Sequence, residues 1–177
     1  MLSVKSLLDA TSLTADDITQ ILDVAKRIDL ANEAAGGVRK FDVLRGRTVC
    51  NLFLEPSTRT KSSFELAEKR LGADSLSMGG STSSVVKGES LADTIQTIDA
   101  MGVDCFVCRA RLAGTPQKIA ENTDAVVINA GDGKHQHPTQ AMLDLYTIRE
   151  SLGHLDGLRV AIVGDLSHSR VCGSLVP

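Results

Sequence analysis

The sequence predicts an α/β fold in which helices cover both faces of a parallel β-sheet. Short apolar runs with the length of strands alternate along the chain with segments whose apolar residues recur at helical spacing. This alternation argues for a parallel sheet that is covered on both faces, and the run at residues 49–54 is typical of a buried strand. Ligands of such sheets bind beyond the carboxyl ends of the strands, so functional residues are expected in the segments that follow the strands.

The predicted elements follow one another in a regular order. Strands are predicted at residues 49–54, 74–78, 104–108, 125–130 and 158–164. Helices are predicted at residues 14–31, 61–71, 90–102, from 115 onwards and at 138–151. Since few residues follow the last predicted strand, we expect one whole α/β domain and the start of a second.

Residues at the helix ends support these boundaries. Thr14 and Asp17 have the spacing of a capping box, and Ser90 is a second N-cap candidate. Gly72 is placed where a helix would stop, and Pro138 where one would begin. Between the second strand and the third helix, residues 79–88 are rich in Gly and Ser and are predicted to form a mobile loop.

Composition excludes several classes of function. The chain has 177 residues, of which 42% are hydrophobic, so it can form a core. A formal net charge of −3 and an aromatic share of 3% argue against nucleic-acid binding. No apolar run approaches the roughly 20 residues of a membrane span, and the first residues lack the apolar region of a signal peptide. We therefore expect a soluble, cytoplasmic protein that binds neither nucleic acid nor membrane.

The four cysteines predict no metal site. Cys105 and Cys108 have CxxC spacing, but they lie in a predicted strand, where residues three apart point to opposite faces. The chain has no second CxxC and no nearby His pair. Small buried thiols are the better interpretation.

The turn between the first strand and the second helix carries the strongest functional pattern. Ser57, Thr58, Arg59 and Thr60 stand at the start of a helix, where backbone N–H groups are free and the helix dipole adds positive charge. Three hydroxyls and one guanidinium add further donors, which suits a phosphate group. The alternative is an ordinary helix N-cap, which needs one hydroxyl and has no use for Arg59.

A second polar segment, residues 131–140, follows the fourth predicted strand. His137 and Gln140 are three residues apart at a helix start, so both side chains can face one ligand. An imidazole can donate to a carbonyl oxygen, and a Gln amide can both donate and accept. Taken singly, His137 is better explained as a histidine near a helix N-cap and Gln140 as a surface residue.

Together these motifs resemble the transcarbamoylase family. The resemblance rests on residues 57–60, on the run Lys87-Gly88-Glu89-Ser90-Leu91 and on His137-Pro138-Thr139-Gln140, in this order along the chain. The runs Glu55-Pro56 and Asn129-Ala130-Gly131-Asp132-Gly133 resemble the aspartate carbamoyltransferase catalytic chain. The ornithine carbamoyltransferases share the first and third motifs, but usually not the run at residues 129–133.

The resemblance implies transfer of the carbamoyl group of carbamoyl phosphate to the amino group of L-aspartate, in pyrimidine biosynthesis. It implies a carbamoyl-phosphate-binding domain at residues 1–137, an interdomain helix at 138–153 and the start of an aspartate-binding domain at 154–177. It covers about the first half of the family's catalytic chain, so we expect the 177 residues alone to lack turnover.

The same resemblance implies roles for single residues. Ser57, Thr58, Arg59 and Thr60 resemble the family's phosphate loop. Arg109 corresponds to an arginine that reaches phosphate and carbonyl, His137 to the histidine that polarises the carbonyl, and Gln140 to the residue that holds the carbamoyl NH2. Lys87, with Ser83, corresponds to a loop contributed by a neighbouring subunit, and Arg170 to an arginine that binds the aspartate carboxylate. Arg109 and Arg170 are followed by residues unusual for the family, Ala110 and Val171.

The implied catalytic residues are Arg59, Thr60, Arg109 and His137. The chemistry needs no metal and no cofactor, because donors and cations hold the two anions and stabilise the new negative charge. The implied partners are carbamoyl phosphate, L-aspartate and two further copies of the chain in a homotrimer with shared sites. Regulatory or dihydroorotase chains are left open. Two alternatives also remain open: ornithine carbamoyltransferase, and a phosphate-binding or assembly module without activity.

Glu55 closes the list of candidate residues. It lies at the carboxyl end of a buried strand, where an unpaired carboxylate would be costly. One interpretation is a partly solvated residue before a turn. The other pairs Glu55 with Arg170 across a domain cleft, which would help to close the cleft over substrate.

Overall fold

The computed structural model describes residues 1–79 and 90–176, and the predicted alternation of strands and helices is present there. The strands are β1 (Thr48–Phe53), β2 (Asp74–Gly79), β3 (Cys105–Ala110) and β4 (Val126–Asp132). The helices are α1 (Ala15–Ala34), α2 (Thr58–Leu71), α3 (Leu91–Asp99), α4 (Thr115–Ala120), α5 (Pro138–Leu152) and α6 (Cys172–Leu175). The loop predicted at residues 79–88 lies, apart from Gly79, outside the described residues.

The four strands form one sheet in the order β2-β1-β3-β4, and all neighbours are parallel. The predicted parallel sheet is therefore confirmed. Because every strand runs in the same direction, the segments after β1, β3 and β4 meet at one edge. This is the edge at which the sequence places the functional residues.

Helices pack on both faces of the sheet, as predicted. On one face Leu52 and Phe106 lie in a cluster with Ile95 and Ile98 of α3 and Ile119 of α4. Each of these five side chains is at most 1% exposed. Burying one side chain of this size contributes about 1.5–3 kcal/mol, so this layer is a main source of stability.

On the opposite face, α2 packs against the sheet. Val49, Phe53 and Val107 form a cluster against which Phe64 of α2 packs. Cys108 belongs to the first face and Cys105 packs on this one, so the predicted split of the CxxC pair is confirmed. Opposed thiols cannot share a metal ion.

The predicted helix ends are also present. Thr14 Oγ1 accepts the Asp17 N–H at 3.1 Å, and the Asp17 carboxylate accepts the Thr14 N–H at 2.9 Å, which completes the capping box. Ser90 caps α3, and Gly72 ends α2 with a φ of 87°. These local bonds fix where the chain enters and leaves the sheet.

The prediction of a strand at residues 158–164 is wrong. The segment has no strand structure, and Val160 and Val163 are 64% and 95% exposed. A strand is stable only beside another strand, and within the described part of the chain none lies next to this segment. The apolar pattern is that of a strand, but the sheet it would join is not among these residues. Within residues 1–79 and 90–176, no helix is long and apolar enough to cross a membrane.

Candidate active site

A cavity of about 600 Å³ opens at the carboxyl edge of the sheet. Helices α2 and α5 form its sides, and β3 contributes Arg109. The predicted residues that line it are Ser57, Arg59, Thr60, Arg109, His137 and Gln140. Residues separated by up to 83 positions thus meet around one space, as the parallel topology predicts.

The start of α2 presents free donors to this cavity. Ser57 occupies the N-cap position, but its side chain makes no capping hydrogen bond. The alternative of an ordinary N-cap is therefore not supported, and the hydroxyl is available to a ligand. Arg59 is exposed in the first turn and has no hydrogen bond or ion pair with another described residue. Free N–H groups, a hydroxyl and a guanidinium at a helix N-terminus favour an anion.

The guanidinium of Arg109 is held on three sides. Its Nη2 and Nε donate to Glu55 Oε1 at 3.1 and 3.3 Å. Its Nη1 donates to Thr60 Oγ1 and to the Ala130 carbonyl, each at 3.2 Å. The side chain is 15% exposed, so the positive charge has a fixed place in the wall of the cavity.

His137 is the N-cap residue of α5 and is 8% exposed. Burial lowers its pKa from 6.5 to about 4, and the nearby charges of Arg109 and Arg170 act in the same direction. The ring is therefore neutral at pH 7. Its Nδ1 lies 3.2 Å from Thr139 Oγ1, and its backbone N–H donates to Ser174 Oγ at 2.7 Å. A neutral, fixed imidazole is suited to donate a hydrogen bond rather than to carry charge.

Gln140 lies one turn into α5 and also lines the cavity. Its Nε2 donates to Asp144 Oδ1 at 2.9 Å, so its carbonyl oxygen has a fixed direction. A fixed amide oxygen can accept a hydrogen bond from an NH2 group of a ligand.

The predicted pairing of Glu55 with Arg170 is present. Arg170 Nη2 lies 3.1 Å from Glu55 Oε1 and 3.3 Å from Oε2. Since Arg109 binds the same Oε1, one carboxylate holds two guanidinium groups together. Arg170 Nη1 is buried and has no partner among the described residues.

Not every predicted site residue lies in the cavity. Thr58 faces a neighbouring cavity on the other side of the turn, which it shares with Glu55 and Lys61. Arg170 is behind Glu55 and does not line the main cavity. Ser83 and Lys87 lie outside the described residues. The roles of all these residues stay predictions.

The cavity also has an apolar wall that the sequence analysis missed. It consists of Phe64 and Ala67 of α2 and Leu143 of α5, with Ser63 and Thr139 beside them. Residues 60, 63, 64 and 67 share one face of a helix, as do 139, 140 and 143. Helical spacing counted from Thr60 and Gln140 could have found these residues.

No group of His, Cys, Asp or Glu within the described ranges is arranged to hold a metal ion. The four cysteines form no disulfide. Burial raises the pKa of Cys105 and of Cys108 to about 12, so both thiols stay protonated at neutral pH. Protonated thiols are poor metal ligands.

Comparison with known proteins agrees with this arrangement. Residues 5–150 match the family model described as "Aspartate/ornithine carbamoyltransferase, carbamoyl-P binding domain". The aspartate carbamoyltransferase catalytic subunit of Frankia casuarinae is 53% identical over 172 residues, which are 97% of this chain and 54% of the relative. That of Thermobifida fusca is 53% identical over 173 residues, 98% of this chain and 55% of the relative.

Solved structures give the same result. Aspartate transcarbamoylase from Trypanosoma cruzi, in complex with carbamoyl phosphate and aspartate, matches with a TM-score of 0.91 and 36% identity over 99% of this chain and 57% of that one. The catalytic subunit of M. jannaschii aspartate transcarbamoylase matches with a TM-score of 0.88 and 41% identity, over 98% of this chain and 56% of that one. The chain spans about half the length of these relatives. Its sequence and fold place it in the aspartate/ornithine carbamoyltransferase family.

Proposed function

We propose that this chain supplies the carbamoyl-phosphate site of an aspartate carbamoyltransferase. The observation that carries the proposal is the cavity in which Arg59, Arg109 and the start of α2 lie opposite a neutral His137. The relatives are almost twice as long, so the proposal concerns a full-length protein of their size. We propose residues 1–137 as the carbamoyl-phosphate domain, 138–153 as the interdomain helix and 154–177 as the start of the aspartate domain.

The phosphate group of carbamoyl phosphate suits the cationic side of the cavity. The N–H groups of the first turn of α2, including that of Thr58, donate to its oxygens together with the hydroxyls of Ser57 and Thr60. Arg59 and Arg109 neutralise its charge. The carbamoyl group then points toward α5, where Gln140 accepts from its NH2 and His137 donates to its carbonyl oxygen.

The tautomer of His137 follows from its neighbour. When the Thr139 hydroxyl donates to Nδ1, the ring proton is on Nε2 and can be donated to the substrate. The amine of the second substrate attacks the carbonyl carbon, and negative charge develops on the carbonyl oxygen. A fixed donor at that oxygen is typically worth about 10²–10³ in rate. Phosphate then leaves and one of its oxygens takes the amine proton, so no protein base is required.

Arg170 is the proposed contact for the carboxylate of aspartate, with Lys87 as a further cation from a neighbouring subunit. Arg170 Nη1 has no partner among the described residues, and in this chain it is buried against Gly131. We also propose a homotrimer with shared sites. A cytoplasmic location is consistent with four unpaired cysteines, which persist in reducing compartments.

Phosphate affinity tests the site directly. Isothermal titration of the 177-residue chain should detect phosphate binding, and Arg59→Ala should weaken it by about tenfold or more because a charge-assisted hydrogen bond is lost. Arg45→Ala removes an equally exposed arginine elsewhere and should leave affinity unchanged. Cys108→Ala, in the core, should leave it nearly intact. Equal losses in the Arg59 and Arg45 variants would refute the site.

Activity tests the rest of the proposal. The full-length protein should consume carbamoyl phosphate with L-aspartate and not with L-ornithine, while the 177-residue chain binds phosphate without turnover. Shared sites are tested by mixing full-length Lys87→Ala chains with His137→Ala chains. Each is expected to be inactive alone, and mixing should restore part of the activity because some sites receive both native residues. No recovery under demonstrated subunit exchange would exclude shared sites.

A further inference from the structure

The carboxylate of Asp132 accepts hydrogen bonds from two loops beside the cavity, although Asp132 does not line the cavity. Asp132 ends β4 and is 1% exposed. Its Oδ1 accepts from Asn129 Nδ2 at 2.9 Å and from the Gln136 N–H at 3.0 Å. Its Oδ2 accepts from the Gly114 N–H at 2.7 Å and lies 3.1 Å from His135 Nδ1. No Lys or Arg of the described residues pairs with it.

These bonds join two loops. Residues 133–137, here called the His137 loop, lead into α5, and residues 111–114 follow the strand that carries Arg109. Asp132 ties the first loop through Gln136 and the second through Gly114. The His137 loop also contacts the end of β3 directly, because the Gly133 N–H donates to the Ala110 carbonyl at 2.9 Å.

We infer that Asp132 is a positioning residue, which sets the His137 ring against Arg109 by fixing the His137 loop to the loop after β3. The inference rests on the proposed function, in which His137 donates to the substrate carbonyl while Arg109 binds the phosphate. A carbonyl carbon and a phosphate of one substrate are a fixed distance apart. The two loops must therefore keep a fixed spacing, and an acceptor buried between them provides it.

An asparagine cannot replace this carboxylate. Three of the four partners are N–H donors, and an Asn amide offers one acceptor oxygen and one NH2 group. In either orientation its NH2 group faces a backbone N–H, that of Gly114 or that of Gln136. Asp132→Asn therefore loosens one of the two loops while it preserves the volume of the side chain.

The same substitution removes a buried negative charge, which has the opposite effect on anion binding. Deleting a negative charge beside the loop that carries His137 should favour phosphate slightly. Misplacing His137 should disfavour only ligands with a carbonyl group. The ratio of the two affinities separates positioning from charge.

The experiment is a pair of titrations on the 177-residue chain, with phosphate and with phosphonoacetamide, in which CH2 replaces the bridging oxygen of carbamoyl phosphate. The native chain should prefer phosphonoacetamide. His137→Ala should reduce this preference about three- to tenfold, the value of one hydrogen bond, and Asp132→Asn should do the same without weakening phosphate binding. In the double variant, the preference for phosphonoacetamide should fall no further than in either single variant, because both substitutions act on the one hydrogen bond from His137.

Asp17→Asn is the matched control. Asp17 is 2% exposed, accepts several hydrogen bonds at the start of α1 and lies outside the site. The Asp17→Asn substitution should lower stability as Asp132→Asn does, but it should leave the preference for phosphonoacetamide unchanged. Retention of the native preference by Asp132→Asn would overturn the inference. If the native chain bound neither ligand, the proposed function itself would fail.

A second variant covers the case in which Asp132→Asn does not fold. In Gly133→Ala the new Cβ would lie 2.8 Å from the Arg111 carbonyl oxygen, so the two loops are pushed apart with Asp132 intact. The preference for phosphonoacetamide should fall here too. An unchanged preference in this variant would equally overturn the inference.

Discussion

Gly131 lies against the two arginines of the site. Its φ is +114°, and a Cβ there would lie 2.8 Å from Arg170 Nη1 and 3.3 Å from Arg109 Nη1. A side chain at this position is strained and also displaces both guanidinium groups. The glycine therefore permits Glu55 to hold the two arginines together.

We predict that Gly131→Ala weakens phosphate binding of the chain by about three- to tenfold, because Arg109 loses its fixed place. It should also lower the free energy of unfolding by about 1–3 kcal/mol through backbone strain. Gly36→Ala is the control, with a φ of +67° and no atom within 4 Å of the new Cβ. Phosphate titration of both variants measures the loss of affinity, and urea unfolding measures the loss of stability. Equal phosphate affinity in the two would show that Gly131 acts through the backbone alone.

The buried ring of His137 makes stability depend on pH. Its pKa is about 4 in the folded chain and 6.5 ordinarily, so between these values the unfolded chain takes up the proton first. The stability that depends on a neutral His137 ring is fully present above pH 6.5 and is lost as the pH falls toward 4. Each pKa unit between the folded and the ordinary value corresponds to about 1.4 kcal/mol in the free energy of unfolding.

We predict that His137→Gln flattens the fall in unfolding free energy between pH 6.5 and 4, measured by urea unfolding in phosphate-free buffer. His154→Gln, at an exposed histidine, should keep the native slope. An unchanged slope in the His137 variant would mean that its ring titrates normally in the folded chain.

At the scale of elements, the sheet should be the most stable part of the chain. Strands β1 and β3 are the central pair, and their core residues are buried on both faces. Residues 158–164 are mostly exposed and join no sheet. We predict that hydrogen exchange is slowest at the amides of β1 and β3 and fastest at residues 158–164. Protection of residues 158–164 equal to that of β4 would contradict this assignment.

The elements were predictable where the local sequence decides them. Capping at Thr14 and the stop at Gly72 depend on bonds within a few residues, and apolar runs identify the three buried strands β1, β3 and β4. The strand predicted at 158–164 failed because a strand depends on its neighbour as well as on its own pattern. The bridge between Leu7 and Ile128 at the edge of β4 was missed for the same reason. A pairing across 121 positions leaves no periodic pattern.

The candidate site, too, could be predicted from the sequence only in part. Residues 57–60, Arg109, His137 and Gln140 could be chosen by type and by their place after strands, and six of these seven residues line one cavity. The structure added what spacing cannot give, namely that Ser57 makes no capping bond and that Asp132 holds the loops. The second of these facts concerns a hydrogen-bond partner, Gly114, that is far from Asp132 in the chain.

At the scale of the whole molecule, Glu55 joins the phosphate side of the site to the segment after α5. Arg170 is its contact there, and Ser174 in the same segment accepts the His137 N–H. The segment thus lies against the site although residues 158–164 before it are exposed. In a full-length protein, this contact would belong to the boundary between the proposed domains, and Glu55 would help to close it.

The two arginines depend on Glu55 to different degrees. Arg109 has two further acceptors, Thr60 Oγ1 and the Ala130 carbonyl, whereas Glu55 is the only ion-pair partner of Arg170 within the described residues. Removing the charge of Glu55 should therefore release Arg170 more than Arg109. Phosphate binding then keeps most of its contacts, and aspartate loses a fixed cation.

We predict that Glu55→Gln in the full-length protein weakens apparent aspartate affinity about tenfold or more, the loss of a charge-assisted contact, and carbamoyl phosphate affinity about threefold or less. Glu65→Gln is the control, since Glu65 binds Lys61 and Ser77 and neither of the two arginines, and both affinities should stay native. Steady-state kinetics with each substrate varied in turn give the two values. In the 177-residue chain, Glu55→Gln should change phosphate affinity by the same small factor, because that factor reflects Arg109 alone. If both affinities of the full-length variant fall equally, Glu55 serves the phosphate site, and closure across the domains must depend on other residues.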